Sequence, residues 1–367
     1  MSNKVTNRQL FFILFLTLTT YTTIDLPKVM AQTTGRSSWI PIVIASLFFG
    51  CVALVISKLN NMFPNKVFFD YSQMIIGKSF AYFIGIYYML YFIVIGVYLK
   101  IKMAGVVTSN FMPKSPHFVF LVFGITLFGY IAYKGITNIA RLFEIYGVTF
   151  LLVTISICVL MSLEGDKYNI LPLFSSTDFK QIPNSLKSLI LPYGGIEILF
   201  VIPFTLQNKK APRTALFTIL FIGLLYVTIV GSTIFVLGIN NTIVLNDSFI
   251  EAIKITSAPV IERLDMFYLI FGLSSLFCGM IMVFSATVEY ACKIFSKVKR
   301  HIIVITIAIV LLLLTLWLLN MKNASTVLET YLLLPVLFSS TIIPVCIYIL
   351  AKVKKVENVL GGCNEKN

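Results

Sequence analysis

Two acids, Asp25 and Glu197, stand inside apolar stretches long enough to span a bilayer, and their settings match. The first reads Thr19-Thr20-Tyr21-Thr22-Thr23-Ile24-Asp25-Leu26-Pro27. The second reads Pro192-Tyr193-Gly194-Gly195-Ile196-Glu197-Ile198 and continues to Pro203. In each, polar or helix-breaking residues come first, then Ile and an acid, then proline. A carboxylate at the middle of a bilayer costs about 3 kcal/mol, so such a group faces a cavity, a partner or a solute path. Its chemistry there is to receive a proton, a cation or an ammonium group.

The residues around the acids widen that chemistry. Hydroxyls of Thr20, Tyr21, Thr22 and Thr23 can satisfy freed backbone groups, bind a solute with the Ile24 backbone, or join this helix to a neighbour. Gly194 and Gly195 after Pro192 let the backbone unwind. The half-helix that follows would offer its first amides to an anion, with Tyr193 beside them. Glu197 in its first turn can take a substrate ammonium, hold a proton, or pair with a lysine elsewhere. Asp25 and Lys28, three apart on one helical face, are expected to pair; a coupling-ion role for Asp25 is the alternative. Lys100 and Lys102 follow an aromatic run that includes Tyr87, Tyr88, Tyr91 and Tyr98. They are expected to reach outward to the interface, the alternative being a fixed charge inside the bundle such as Lys100.

These residues need helices to hold them. The chain has 367 residues, 58% hydrophobic and 12% charged, with mean hydropathy +0.93. Soluble domains carry about 25% charged residues. Apolar windows predict about ten transmembrane helices, at 9–32, 39–58, 80–108, 117–133, 142–163, 186–206, 214–238, 264–291, 301–319 and 327–351. The first window is too long for a cleavable signal and reads as a true span. The stretch 65–79 reads as an interfacial helix, and the connections 164–185 and 239–263 as holding short helices outside the membrane. Interrupted helices in corresponding positions of two halves point to an inverted repeat with its site at the midplane. The expectation is a single transmembrane domain over 1–352, with repeats at about 9–163 and 186–351 and a short cytoplasmic tail at 353–367.

Charge sets the expected orientation. About 18 of the 29 Lys and Arg fall in one set of alternate loops and about 8 in the other, which puts both termini in the cytoplasm. Anionic lipid accounts for the formal +14, so no nucleic-acid partner is needed. The six cysteines are scattered without metal-ligand spacing, and His117 and His301 are the only histidines. No metal site, no cofactor and no enzyme signature is expected: HExxH, paired intramembrane aspartates and a Ser-His arrangement are all missing.

Several short motifs, in order, resemble one family. They are Leu26-Pro27, Gly35-Arg36-Ser37-Ser38-Trp39, Met62-Phe63-Pro64 ahead of Ile76-Gly77-Lys78, Pro113-Lys114-Ser115-Pro116, Lys134-Gly135-Ile136 with Ala140-Arg141, Leu171-Pro172-Leu173, and Gly195-Ile196-Glu197 leading to Pro203. Together they resemble the endospore germination permeases. Those are the B subunits of GerA-type nutrient germinant receptors, within the amino acid–polyamine–organocation superfamily. The resemblance implies a LeuT-like fold of two inverted five-helix repeats, with the first and sixth helices broken, in the spore inner membrane. It implies a small nutrient germinant, often an amino acid, and partner A and C subunits. By likeness, 20–23 and 193–195 match the superfamily's substrate-binding breaks, although glycines common in the first break are replaced here by threonine and tyrosine. The ligand's side chain would face the aromatic third span, Tyr91 included. The expected function is a germinant-receptor subunit that signals to its partners, the alternative a proton- or cation-coupled amino-acid permease.

Overall fold

In lipid every backbone N–H and C=O must find a partner inside the protein, so an apolar chain of this kind folds as helices. The computed structural model is all-α among its described residues, which are 5–110, 117–171, 180–204, 209–256, 264–321 and 324–354. For 20–24, 109–110 and 117–120 only the backbone is described. In chain order the helices are α1 (Asn7–Thr33), α2 (Trp39–Met62), α3 (Phe68–Ile76), α4 (Lys78–Asn110), α5 (His117–Lys134), α6 (Ile136–Glu164) and α7 (Ile182–Ser188). They continue with α8 (Ala211–Val244), α9 (Ser248–Ile255), α10 (Leu264–Ile294), α11 (Arg300–Leu319), α12 (Ala324–Leu337) and α13 (Ile343–Val353).

Among the described residues, seven helices are long and apolar enough to cross a membrane. They are α2, α4, α6, α8, α10, α11 and the joined α12–α13. These coincide with seven of the ten spans expected from hydropathy. The other three expected spans fall on α1, on α5 and on the segment that begins with α7. The short helices expected outside the membrane also form: α3 lies within 65–79, and α9 within 239–263. The apolar side chains point both ways, as lipid requires. Ile305, Leu313 and Trp317 of α11 are exposed, while Tyr88, Phe92, Tyr226 and Phe143 are fully buried.

The two expected breaks come out differently. α1 is helical from Asn7 to Thr33 with Pro27 inside it, so its backbone does not unwind at 20–23. The local chemistry explains this. The stretch has no glycine, so nothing in it is freed from the helical conformation as Gly194 and Gly195 are. The sixth span does unwind. After α7 the chain runs as turns from Leu189 to Gly195, then as a tight 3-10 segment Ile196–Val201. A further irregularity joins α12 to α13, where Phe338–Ile342 winds as a π-helix after Pro335.

α1 and α8 pack together with α2, and α10 packs against α4 and α1. The unwound segment therefore runs through the centre of the bundle, touched by α1, α2, α10 and the π-helical turn.

Candidate functional site

Unwinding a helix inside a bundle releases carbonyls that need new donors. The surrounding helices supply them. Tyr226 Oη of α8 lies 3.3 Å from Pro192 O and 2.9 Å from Leu18 O of α1, so one hydroxyl proton ties the unwound chain to α1. Asn60 Nδ2 donates to Leu199 O at 2.6 Å, and Tyr71 Oη donates to Asn60 Oδ1 at 2.7 Å. Asn65 N donates to Phe204 O at 2.7 Å. Both glycines are required where they stand. Gly195 has φ +112°, a conformation L side chains rarely adopt. At Gly194 an added Cβ would sit 2.8 Å from Val336 Cγ1 and 3.0 Å from Leu191 O.

A cavity of about 40 Å³ opens beside this segment. Its walls are Thr17 of α1, Tyr91, Ile95 and Tyr98 of α4, Gly194, Gly195 and Glu197, Gly279 and Val283 of α10, and Val336 of α12. Most of this surface is apolar. Beside the hydroxyls of Thr17, Tyr91 and Tyr98, the wall carries the Glu197 carboxyl group, only 1% exposed. Tyr91 Oη donates to its Oε1 at 2.5 Å, and Gly195 N donates to Oε1 and Oε2 at 3.1 and 3.0 Å. No basic side chain among the described residues pairs with it, so a charge on this acid would have no counter-charge at the cavity wall. The amide expected to receive an anion is therefore already filled by the chain's own acid.

Tyr91 of α4, the third span, lines this cavity together with Gly194, Gly195 and Glu197. Tyr193 does not. Its ring stacks on Phe49, 5.1 Å between centroids, and meets Tyr226 edge-on at 5.6 Å, between α2 and α8 and away from the cavity. The side chains of Thr20, Tyr21, Thr22, Thr23 and Ile24 lie outside the described residues.

The charged residues rearrange most. Asp25 pairs not with Lys28 but with Lys102 of α4, Nζ to Oδ2 2.9 Å. Lys28 Nζ instead donates to Asn246 Oδ1 at 2.8 Å, because its place on α1 faces the loop after α8. Lys102 also holds Glu329 of α12, Nζ to Oε1 2.6 Å, and Tyr98 Oη donates to the same oxygen at 2.8 Å. This cluster ties α1, α4 and α12 above the cavity, with the Tyr98 ring as the shared wall. Lys100 does not reach the interface. It is 3% exposed, because on α4 it points between α5 and α10 rather than along the Lys102 face. Sequence reasoning missed Tyr98, Glu329, Val336 and Tyr226 as parts of one site. Their signals were an aromatic run, an acid near a span end and two ordinary apolar helices, none of which names a partner.

A membrane-embedded bundle around one unwound span, with a small cavity at the unwinding, defines the class: an all-α membrane protein with the LeuT-type transporter fold. A Na+-coupled sialic acid symporter, in its substrate-bound outward-open state, superposes with TM-score 0.68 at 12% identity, covering 91% of this chain and 76% of the symporter. MhsT in complex with L-phenylalanine gives TM-score 0.66 at 13% identity, covering 92% and 90%. Mhp1, a nucleobase-cation-symport-1 family transporter, gives 0.62 at 14%, covering 91% and 76%. These likenesses show the fold. The chain itself belongs to the spore germination permease family, whose model, described as spore germination protein, matches residues 4–324. Spore germination protein YndE of Bacillus subtilis (strain 168) is 22% identical over 300 residues, covering 81% of this chain and 82% of YndE. Spore germination protein B2 of the same organism is 24% identical over 217 residues, covering 58% and 57%. The family read from the short motifs is the family found.

Proposed function

We propose that this chain is a germinant-sensing subunit that binds a small amine-bearing nutrient, an amino acid in the first instance, in the cavity beside Glu197. The observation that carries the reading is the buried, unpaired carboxylate at the wall of a mostly apolar cavity. An ammonium group would restore charge balance there, and the apolar walls of α4 and Val336 suit a short aliphatic side chain. The volume, about 40 Å³, is the room of roughly three waters, so even a small amino acid binds only as the unwound segment yields, and a ring system is disfavoured further. As the ammonium draws on Glu197, the Gly195 N–H is released to bind the ligand carboxylate. Binding then favours one packing of the unwound segment against α1 and α12, a population shift that partner subunits can read. The proposed partners are A and C receptor subunits. The proposed location is the spore inner membrane, with both termini on the cytoplasmic side, as the loop charges direct.

The test is a paired measurement on the purified, reconstituted chain with a panel of labelled amino acids. Saturable binding without accumulation supports a receptor. Accumulation driven by a proton gradient supports the second reading, a coupled amino-acid permease, which the transporter fold favours. Binding of no member of the panel would remove the amino acid as ligand.

A further inference from the structure

Lys102 and Lys100 are two residues apart on α4 and have opposite surroundings. Lys102 touches two carboxylates. Lys100 is 3% exposed, and its Nζ has no hydrogen-bond partner among the described residues. It lines a separate cavity of about 10 Å³ between α4, α5 and α10, walled by Met103, Val107, Leu121, Phe128 and Met280. Among the described residues no acid and no other polar side chain lines it. An ammonium buried without a counter-charge costs several kcal/mol. The cavity has room for about one water-sized particle. A water there would find one polar partner where buried waters use about three. A monatomic anion gives up its own hydration on entry and gains in return an attraction to the ammonium that grows strongly as the local dielectric falls. A halide is larger than a water, and the flexible thioethers of Met103 and Met280 would draw back to admit it. Carboxylate and phosphate groups exceed the space.

We propose that Lys100 binds a small monatomic anion, of the halide class, in this cavity. The site is separate from the Glu197 cavity and stands or falls independently of the ligand assigned there. The anion turns a buried fixed charge into a neutral pair and braces α4 against α5 and α10.

The test uses the full chain in detergent, with bromide as the probe. Thermal unfolding is followed in sodium gluconate as bromide replaces gluconate at constant ionic strength. The expected result is a saturable rise in Tm with bromide, no rise with the larger sulfate, and loss of the bromide-dependent rise in Lys100→Met, which keeps a stem of similar length without charge. Crystals grown in bromide supply a second readout that needs no variant: an anomalous peak beside Lys100 Nζ. An equal Tm in gluconate and bromide, a rise undiminished in Lys100→Met, or an anomalous map without a peak at Lys100 would each overturn the proposal and leave Lys100 as a neutral buried amine.

Discussion

Glu197 is buried, and Tyr91 Oη and Gly195 N donate to its carboxyl oxygens. Hydrogen bonds to charged groups are worth about 1.5–3 kcal/mol each, too little by themselves to offset full desolvation of a carboxylate. That shortfall is what an ammonium ligand would relieve. Glu197→Gln keeps the shape and removes the charge. It is expected to weaken amino-acid binding about 10- to 100-fold, since 1.4 kcal/mol is tenfold, with normal membrane insertion. Equilibrium binding across a concentration series checks this, and unchanged affinity would place the ammonium elsewhere. Tyr91→Phe removes one donor to the same carboxylate. Its effect on binding is expected in the same direction and smaller, because the charge remains.

The unwound segment between α7 and the 3-10 turn is the element that makes the cavity. Gly195→Ala puts a Cβ at φ +112°, a left-handed strain of roughly 1–2 kcal/mol, and is expected to lower the Tm of the purified chain. An unaltered Tm would mean the segment can relax without loss. Gly194→Leu drives a branched side chain into Val336 and the Leu191 carbonyl. Loss of ligand binding is expected in a chain that still reaches the membrane, and normal sensitivity would count against this cavity as the site. Tyr226→Phe takes the shared proton from Leu18 O and Pro192 O. A buried acceptor left unpaired costs about 1–3 kcal/mol, so thermal stability should fall here too.

Across the whole molecule, α1 is held at both ends. Near its start, Arg8 Nε lies 3.0 Å from Glu144 Oε1, and Gln9 Nε2 donates to Glu144 Oε2 at 3.0 Å, joining α1 to α6. About 25 Å further along the helix, Asp25 meets Lys102 and, through it, Glu329. The Arg8 side chain is exposed, so its pair adds only about 0–1 kcal/mol to stability, whereas the Lys102 cluster is more enclosed. Their larger effect is on which packing of α1, α4 and α12 is favoured. Lys102→Met leaves Asp25 and Glu329 without their shared cation, so it should lower Tm while raising the rate at which a thiol reagent reaches a cysteine introduced at Ile95 in the cavity wall. An equal labelling rate would show that the cluster does not close the cavity.

Much of this architecture was legible before any coordinates. Hydropathy determined the long spans, because a backbone in lipid has few ways to satisfy itself. Pro192-Tyr193-Gly194-Gly195 announced its own unwinding, because conformational freedom is a property of the residues at that point. The first segment has the same polar character but no glycine, and its backbone stays wound. What only the tertiary structure decided was partnership. Lys28 is three residues from Asp25, but Lys102, 77 residues away, holds it. Lys100 is buried while Lys102 is paired, and Tyr193 turns from the cavity that its neighbours line. A side chain's local conformation follows from its own chemistry and its neighbours in sequence. The charge or ring it finally meets depends on which helices pack together, and no short stretch of the chain carries that information.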